Sequence, residues 1–137
     1  MAITTAVCNS YKQEILEGVH ASTDTYKIAL YTDSVTLSAS TTAYSSTNEV
    51  SGTGYDAGGK TLSGFSSGLS SSTAYLTFTD PAWTTSTITA RGCLIYNSSK
   101  SNKAVAAFDF GQNVTSVNGT FTVDFPGVGA SSLITIA

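Results

Sequence analysis

The sequence predicts an all-β fold: a sandwich or barrel of short strands with one short helix near the N-terminus. Three observations predict it. Ser and Thr make up roughly a third of the 137 residues, while charged residues make up only 11%. Seven Tyr, six Phe, one Trp and many Val, Ile and Thr accompany them, a mixture suited to a pleated sheet with one buried face and one uncharged polar face. Alternating apolar and polar stretches recur along the chain, separated by clusters of Gly, Ser and Asn. A disordered chain would be poorer in aromatics and richer in charge. The length predicts a single domain, 1–137, large enough for one proper core.

The helix is predicted over 10–18. Asn9 and Ser10 offer N-caps, and Gln13 stands three residues after Ser10 as in a capping box. Tyr11, Ile15, Leu16 and Val19 give a partial apolar stripe, and Gly18 is a natural stop. So short a helix is marginal alone in water and is expected to dock on the sheet or one end of the core.

Strands follow. Residues 25–31 alternate, placing Tyr26, Ile28 and Leu30 on one face. A weaker strand is expected at 60–65. Residues 74–79 set Leu76 and Phe78 opposite Tyr75 and Thr77, and 87–96 read as one long strand with a bulge or bend at Gly92. Further strands are expected at 104–110, 120–125 and 133–136. Turns are expected at 97–102, 111–113, 118–119 and 126–129. Asn118-Gly119 predicts a hairpin joining 112–117 to 120–125, because both residue types tolerate positive φ. The Ser-, Thr- and Gly-rich region 32–72 is too long for one loop and should hold short strands and surface excursions.

The formal net charge is −3, and Lys12, Lys27, Lys60, Arg91, Lys100 and Lys103 are scattered. No basic stripe is available for nucleic acid. The first residues carry no positive region and no long apolar run, so no secretory signal is read there. No stretch approaches the roughly 20 apolar residues of a membrane span. Synthesis in a reducing cytoplasm is therefore expected, and Cys8 and Cys93, lacking C-x-x-C spacing, are expected to be free thiols. The Asn-x-Ser/Thr triplets at Asn97, Asn113 and Asn118 are read as turn-rich sequence.

Residues 54–61, GYDAGGKT, satisfy the phosphate-loop spacing letter for letter. That motif works only between a buried strand and a helix. The stretch before it is poorly apolar, and the Gly- and Ser-rich stretch after it would make a poor helix, so it is read as a turn entering a strand. His20 is the sole histidine and is expected to cap or sit at the surface; a Cys8–His20 dyad has no supporting spacing. No G-x-S-x-G elbow occurs. Asp80, Asp109 and Asp124 lie at strand ends or in alternating strands and are read as outward-facing or turn-capping, not as a hydrolytic pair. No spacing supports a metal site. Pro81 should break strand pairing. Trp83 is expected either to fill the core or to anchor an interface. Arg91 should pair with an acid within the domain or across a subunit boundary. The chain is thus expected not to be an enzyme and to hold no cofactor or metal.

The run DTYKIALYTDSVTLSASTTAYSSTNEVSGTGYDAGGKTL, followed by TDPAW, ITARGCLIYN and NKAVAAFDFG, resembles a family of small virion proteins of tailed bacteriophages. The likeness covers nearly the whole chain from about Ser10. Within that family it is most like a capsid cement, or decoration, protein. The resemblance implies a two-layer antiparallel sandwich of jelly-roll type. It implies a homo-oligomer, dimer or trimer, on the outer capsid surface, bound to the major capsid protein at junctions between subunits and stabilising the shell against internal DNA pressure. It brings no catalytic motif. Cys93 stands where another small residue is expected, which makes a disulfide less plausible. Residues 1–8 are expected to form an arm that orders on the capsid or on a neighbouring copy, with Ala2, Ile3, Thr4, Thr5, Tyr55, Trp83 and Arg91 as the candidate interface. Two alternatives remain: a tail or head-fibre component, and a carbohydrate-binding module stacking sugars on Tyr44, Tyr55 or Trp83.

Overall fold

The computed structural model describes residues 2–129 and 131–137. The chain is mostly β, with two antiparallel sheets and one short helix. It forms two compact units. One comprises the chain up to Thr61 together with Trp83–Phe121; the other comprises Leu62–Ala82 and Thr122–Ala137.

The first unit carries a five-stranded sheet. Its strands are β1 (Ala6–Val7), β2 (Tyr26–Tyr31), β3 (Lys60–Thr61), β6 (Ala82–Asn97) and β7 (Lys103–Thr122), in the order β1-β7-β6-β2-β3. β6 and β7 are joined by a 3-10 turn, Ser98–Lys100, followed by Ser101 and Asn102 at φ 56° and 58°. The Asn97 side chain accepts the Ser99 N–H at 3.0 Å and caps that turn. This is the chain reversal expected at 97–102.

β2 pairs along its length with β6, setting Ile28 against Ile95 and Leu30 against Cys93. The expected single buried face is too modest here. Residues 28–31, 92–97 and 104–107 are buried without alternation, because both sheet faces are covered. On one face Tyr44 stacks on Tyr96 at 4.7 Å, and the Tyr31 hydroxyl donates to the Ser45 carbonyl. On the other, Tyr11 and His20 gather near Tyr26.

The helix α1 spans Asn9–Leu16, and its cap differs from expectation. Cys8, not Asn9 or Ser10, holds the N-cap position, in an extended conformation and with no side-chain cap bond. The reason is the docking of the backbone. The Cys8 N–H is bound by the Val105 carbonyl and the Asn9 N–H by the Ala39 carbonyl. Neighbouring strands and loops thus fix the boundary that a side chain would otherwise set. Gln13 reaches forward to Glu17, not back to Ser10. The stop at Gly18 holds: at φ 73° it lets Val19 N–H reach the Glu14 carbonyl and its own N–H reach Ile15, closing the last turn. The apolar stripe is narrower than expected, since Tyr11 is buried but Leu16 is 88% exposed.

Two expected turns are absent. β7 runs unbroken through 111–113 and through Asn118-Gly119, so no hairpin forms there. Gly111 at φ 83° and Asn118 at φ 48° kink one strand without reversing it. Asn118 stays tied to β6 because its N–H donates to Thr87 Oγ1, while Ser86 Oγ bonds both Ser116 Oγ and the Gly119 carbonyl. Gly92 is likewise no bulge. It pairs in register with Tyr31. A Cβ there would collide with the Phe108 carbonyl and the Ile3 side chain, so close approach is what requires glycine.

The second unit holds β4 (Ser66–Ser70), β5 (Thr73–Thr77) and β8 (Ile134–Ile136), in the order β4-β5-β8. Its apolar interior is built from Leu62, Leu76, Phe78, Val123, Phe125 and Leu133, with Phe65 edge-on to Phe78 at 5.6 Å. The strand expected at 60–65 shrinks to Lys60–Thr61, and that expected at 120–125 ends at Thr122. Beyond it, Val123 N–H reaches the Pro81 carbonyl and Phe125 N–H reaches Asp80 Oδ1 at 2.8 Å. Pro81 does end pairing: the long strand β6 starts at Ala82.

Candidate functional site

The residues expected to form an interface fall into two places. Ile3 bridges Leu37 in parallel, Thr4 N–H donates to the Leu37 carbonyl at 2.8 Å, and Leu37 N–H donates to the Ala2 carbonyl. Ala6 and Val7 then pair with Ala107 and Ala106 of β7. The segment read as an arm is therefore already ordered on its own chain, with Ile3 buried; Met1 lies outside the described residues.

Arg91 joins this end of the unit. Its Nε donates to Asp109 Oδ1 at 2.8 Å, and the Asp109 N–H donates to Thr5 Oγ1 at 2.9 Å. The acid expected for Arg91 is thus Asp109, within the same chain. The Arg91 guanidinium, helped by the Gly111 N–H, holds the Asp109 carboxyl below the usual range. Ala2, Ile3, Asp33, Arg91 and Asp109 line a cavity of about 90 Å³.

Tyr55 and Trp83 do not belong to this group. Trp83 is 3% exposed and Tyr55 8%, so neither can present a contact face as an interface residue must. Trp83 lies against Tyr55 and edge-on to Phe121 at 6.2 Å, with Lys60 Nζ 5.8 Å over its ring. Of the two roles weighed for Trp83, the structure selects core filling. Burial of Tyr55 and Trp83 also removes two of the three platforms that sugar stacking would need.

Glu49 was missed by sequence reasoning. It accepts Tyr44 Oη and Tyr55 Oη at 2.6 Å each, and the Gly58 N–H at 2.8 Å. Tyr55 Oη in turn accepts the Leu30 N–H. Burial, with the bond to Glu49 added, pushes the Tyr44 and Tyr55 phenols above their ordinary range. Glu49 thereby ties residues 44–58 to the edge of β2. The only signal in the sequence was a lone acid amid hydroxyl residues flanked by tyrosines, and it has no characteristic spacing.

The phosphate-loop letters serve the same junction. Lys60 and Thr61 pair with Ile28 and Lys27, and the chain then enters a loop, not a helix. A Cβ on Gly59, at φ 82°, would collide with the Ile28 carbonyl. Gly59 thus serves backbone approach to β2, and Gly54, at φ 84°, approach to Ser86 of β6.

His20 is not at the surface as expected. Its side chain is 1% exposed, with Nε2 2.9 Å from Glu14 Oε1 and Nδ1 3.0 Å from Asn97 Nδ2. Asn97 Nδ2 also donates to Asp24, which takes Lys100 Nζ at 2.7 and 2.9 Å. The Lys100 bond, then those from Ala21 N–H and Asn97, hold the Asp24 carboxyl well below the usual range. Both ring nitrogens of His20 are thus engaged in joining helix α1 to the β6–β7 turn. Cys8 Sγ points at the Ser38 carbonyl, and burial pushes its thiol up to about 11, the wrong direction for a nucleophile. Cys93 is buried and also raised. Both thiols are free. Among the described residues no group of three His, Cys, Asp or Glu could hold a metal. Asp80 caps Phe125, while Asp56 and Asp124 are exposed.

Among the described residues, two larger hollows stand out. One, about 300 Å³, is lined by Tyr31, Val35, Leu37, Ala43 and Ser45. The other, about 330 Å³, is an open groove of hydroxyls that includes Thr87, Thr89 and Thr115, with Glu49 at its margin. Neither brings a nucleophile and a base together. Compared with protein-family models, with curated proteins and with solved structures, the chain finds no match in any of the three.

Proposed function

We propose that this protein is a structural component of a tailed-bacteriophage virion: a cement protein of the jelly-roll class that binds the outer face of the capsid. Its partner would be the major capsid protein, engaged at junctions between subunits. The observation that carries the reading is the fate of the ionisable side chains. His20, Glu14, Asp24, Glu49, Arg91 and Asp109 all end in bonds that brace the fold. The exposed surface is rich in hydroxyls, with single charges such as Lys12, Asp56 and Asp124 scattered on it, and is suited to shape recognition. The segment resemblance supplies the virion context.

The mechanism is mass action. A ligand that binds only the assembled shell stabilises it in proportion to RT ln(1 + [L]/Kd). Each site needs only modest area, about 1,000 Å² of total buried surface, when an oligomer engages several capsid subunits at once. The Ala2–Thr5, Arg91 and Asp109 end of the first unit is the surface we assign to this contact.

The test is to mix the purified protein with heads that lack it. Saturable binding at the shell's repeating positions, with DNA retained to higher temperature, is expected. Binding confined to tails or fibres, a few copies per particle, or no binding at all would overturn the cement reading.

A further inference from the structure

The sheet of the first unit has one long open edge. β7 has β6 on one side; on the other lie an isolated bridge from Ala43 to Lys103 and β1, at Ala106 and Ala107. Thr5 Oγ1 takes the next outward donor, the Asp109 N–H. Beyond that, among the described residues, no strand lies along β7 as far as Phe121. The other sheet edges are short. β3 has two residues, one of them Lys60; β8 has three and β4 five. Proteins usually blunt an exposed edge with brevity, Lys, Pro or bulges. Here only bulge-like kinks are used, at Gly111 and Asn118, and they bracket a regular run of residues 112–117. That run contains Val114 and Val117, both exposed, Val117 by 75%. No charged residue and no Pro occurs from Phe110 to Phe121.

We propose that this edge is a homotypic interaction surface. Residues 112–117 pair antiparallel with the same residues of a second copy about a two-fold axis. The lack of charge is what selects that occupant. An axis through the middle of the run sets Val114 opposite Thr115 of the other copy and Asn113 opposite Ser116, so a Lys, Asp or Glu near the centre would lie close to its like and oppose pairing. This chain carries a formal net charge of −3 yet keeps its longest free edge neutral. Six paired residues span about 20 Å, the backbone groups along the run gain partners, and the two valines are shielded. The proposal does not depend on the capsid reading: the edge would pair whatever surface the protein decorates.

Sedimentation equilibrium of the full chain tests it. The wild type is expected to show a concentration-dependent dimer. Val114→Lys changes an exposed side chain, leaves the backbone intact and places like charges near the axis. It is expected to weaken the dimer about tenfold or more with an unchanged circular dichroism spectrum. Leu16→Lys, on the exposed face of α1, should leave the dimer intact. Amides of 112–117 should exchange more slowly as the wild-type concentration rises. A wild type that stays monomeric at about 100 μM, a dimer indifferent to Val114→Lys, or concentration-dependent protection elsewhere and not at 112–117 would overturn the proposal.

Discussion

The two units solve the same problem with different means. In the first, the interior is crossed by polar bonds: Glu49 beneath two phenols, His20 between Glu14 and Asn97, and Ser86 against Ser116. In the second, the interior is almost wholly apolar, with Thr77 Oγ1 on the Pro126 carbonyl and Asp80 on Phe125 N–H as its main side-chain bonds. Polar bonds demand specific partners and fix register, whereas apolar packing tolerates volume-conserving change. The first unit should therefore be the less forgiving of substitution. The second leaves Leu69, Val128 and Ile136 exposed and should depend on a few large side chains.

The sharpest way to break that contrast is to substitute one key residue in each unit. Gly59→Ala drives a Cβ into the Ile28 carbonyl at a φ that side chains rarely adopt. It should cost about 4 kcal/mol or more, the range reached when backbone must move, and the 44–58 junction should be lost with it. Urea denaturation with amide exchange at β2 would read both effects. Phe78→Ala removes the ring that packs edge-on to Phe65 and should cost about 3 kcal/mol through the cavity left behind, with amides of β4 and β5 losing protection first. If Gly59→Ala proves the milder of the two, the ranking of the units is wrong.

Legibility followed the same division. Apolar alternation located 25–31, 74–79 and 133–136 to within a residue or two, because their pattern reports burial directly. Short-range turn chemistry located 97–102, yet it failed at Asn118-Gly119. The local preference for positive φ there was real, but the tie from Thr87 Oγ1 used it to kink a strand that stays paired. The helix cap failed for a related reason: the partners of Cys8 and Asn9 lie near residues 105 and 39, far away in sequence. Charge pattern correctly gave Arg91 an acidic partner. It gave no hint of Glu49 or His20, whose partners are assembled only by the fold. Tyr55 and Trp83 entered the candidate interface although both are buried, since aromatics carry the same signal whether they fill a core or anchor a partner.

Acid and alkali should separate the polar networks from the rest of the packing. Asp24 and Asp109 have carboxyls held below their ordinary range, by Lys100 and Arg91 foremost. A depressed folded value means stability that is present above the unfolded value of about 3.9 and lost as pH falls through it. The phenols run the other way. Burial pushes Tyr11 up to about 12, and Tyr26, Tyr31, Tyr44 and Tyr55 are raised as well. Their contribution is present below about pH 10 and lost as pH rises beyond it. All seven residues lie in the first unit. Asp24→Asn should flatten the acid limb of the stability–pH curve while leaving the alkaline limb in place. An unchanged acid limb would show that the Asp24–Lys100 pair contributes little, as exposed pairs commonly do.

The smallest effect should also have the opposite sign. Ser10 sits in the first turn of α1, and its hydroxyl is buried with no hydrogen-bond partner. The residue that looked like a helix cap in the sequence is therefore a buried polar group left unsatisfied, because the backbone carbonyls of Val105 and Ala39 already take the Cys8 and Asn9 donors. Removing an unsatisfied buried hydroxyl recovers its desolvation cost, and alanine is the better helix former. Ser10→Ala should thus raise stability, by about 0.5–1 kcal/mol, where a capping serine would lose about 1 kcal/mol on the same change. Thermal or urea denaturation of the single variant gives the sign. A loss of stability would mean that the hydroxyl does cap the helix and that the polar economy of the first unit extends to its helix start.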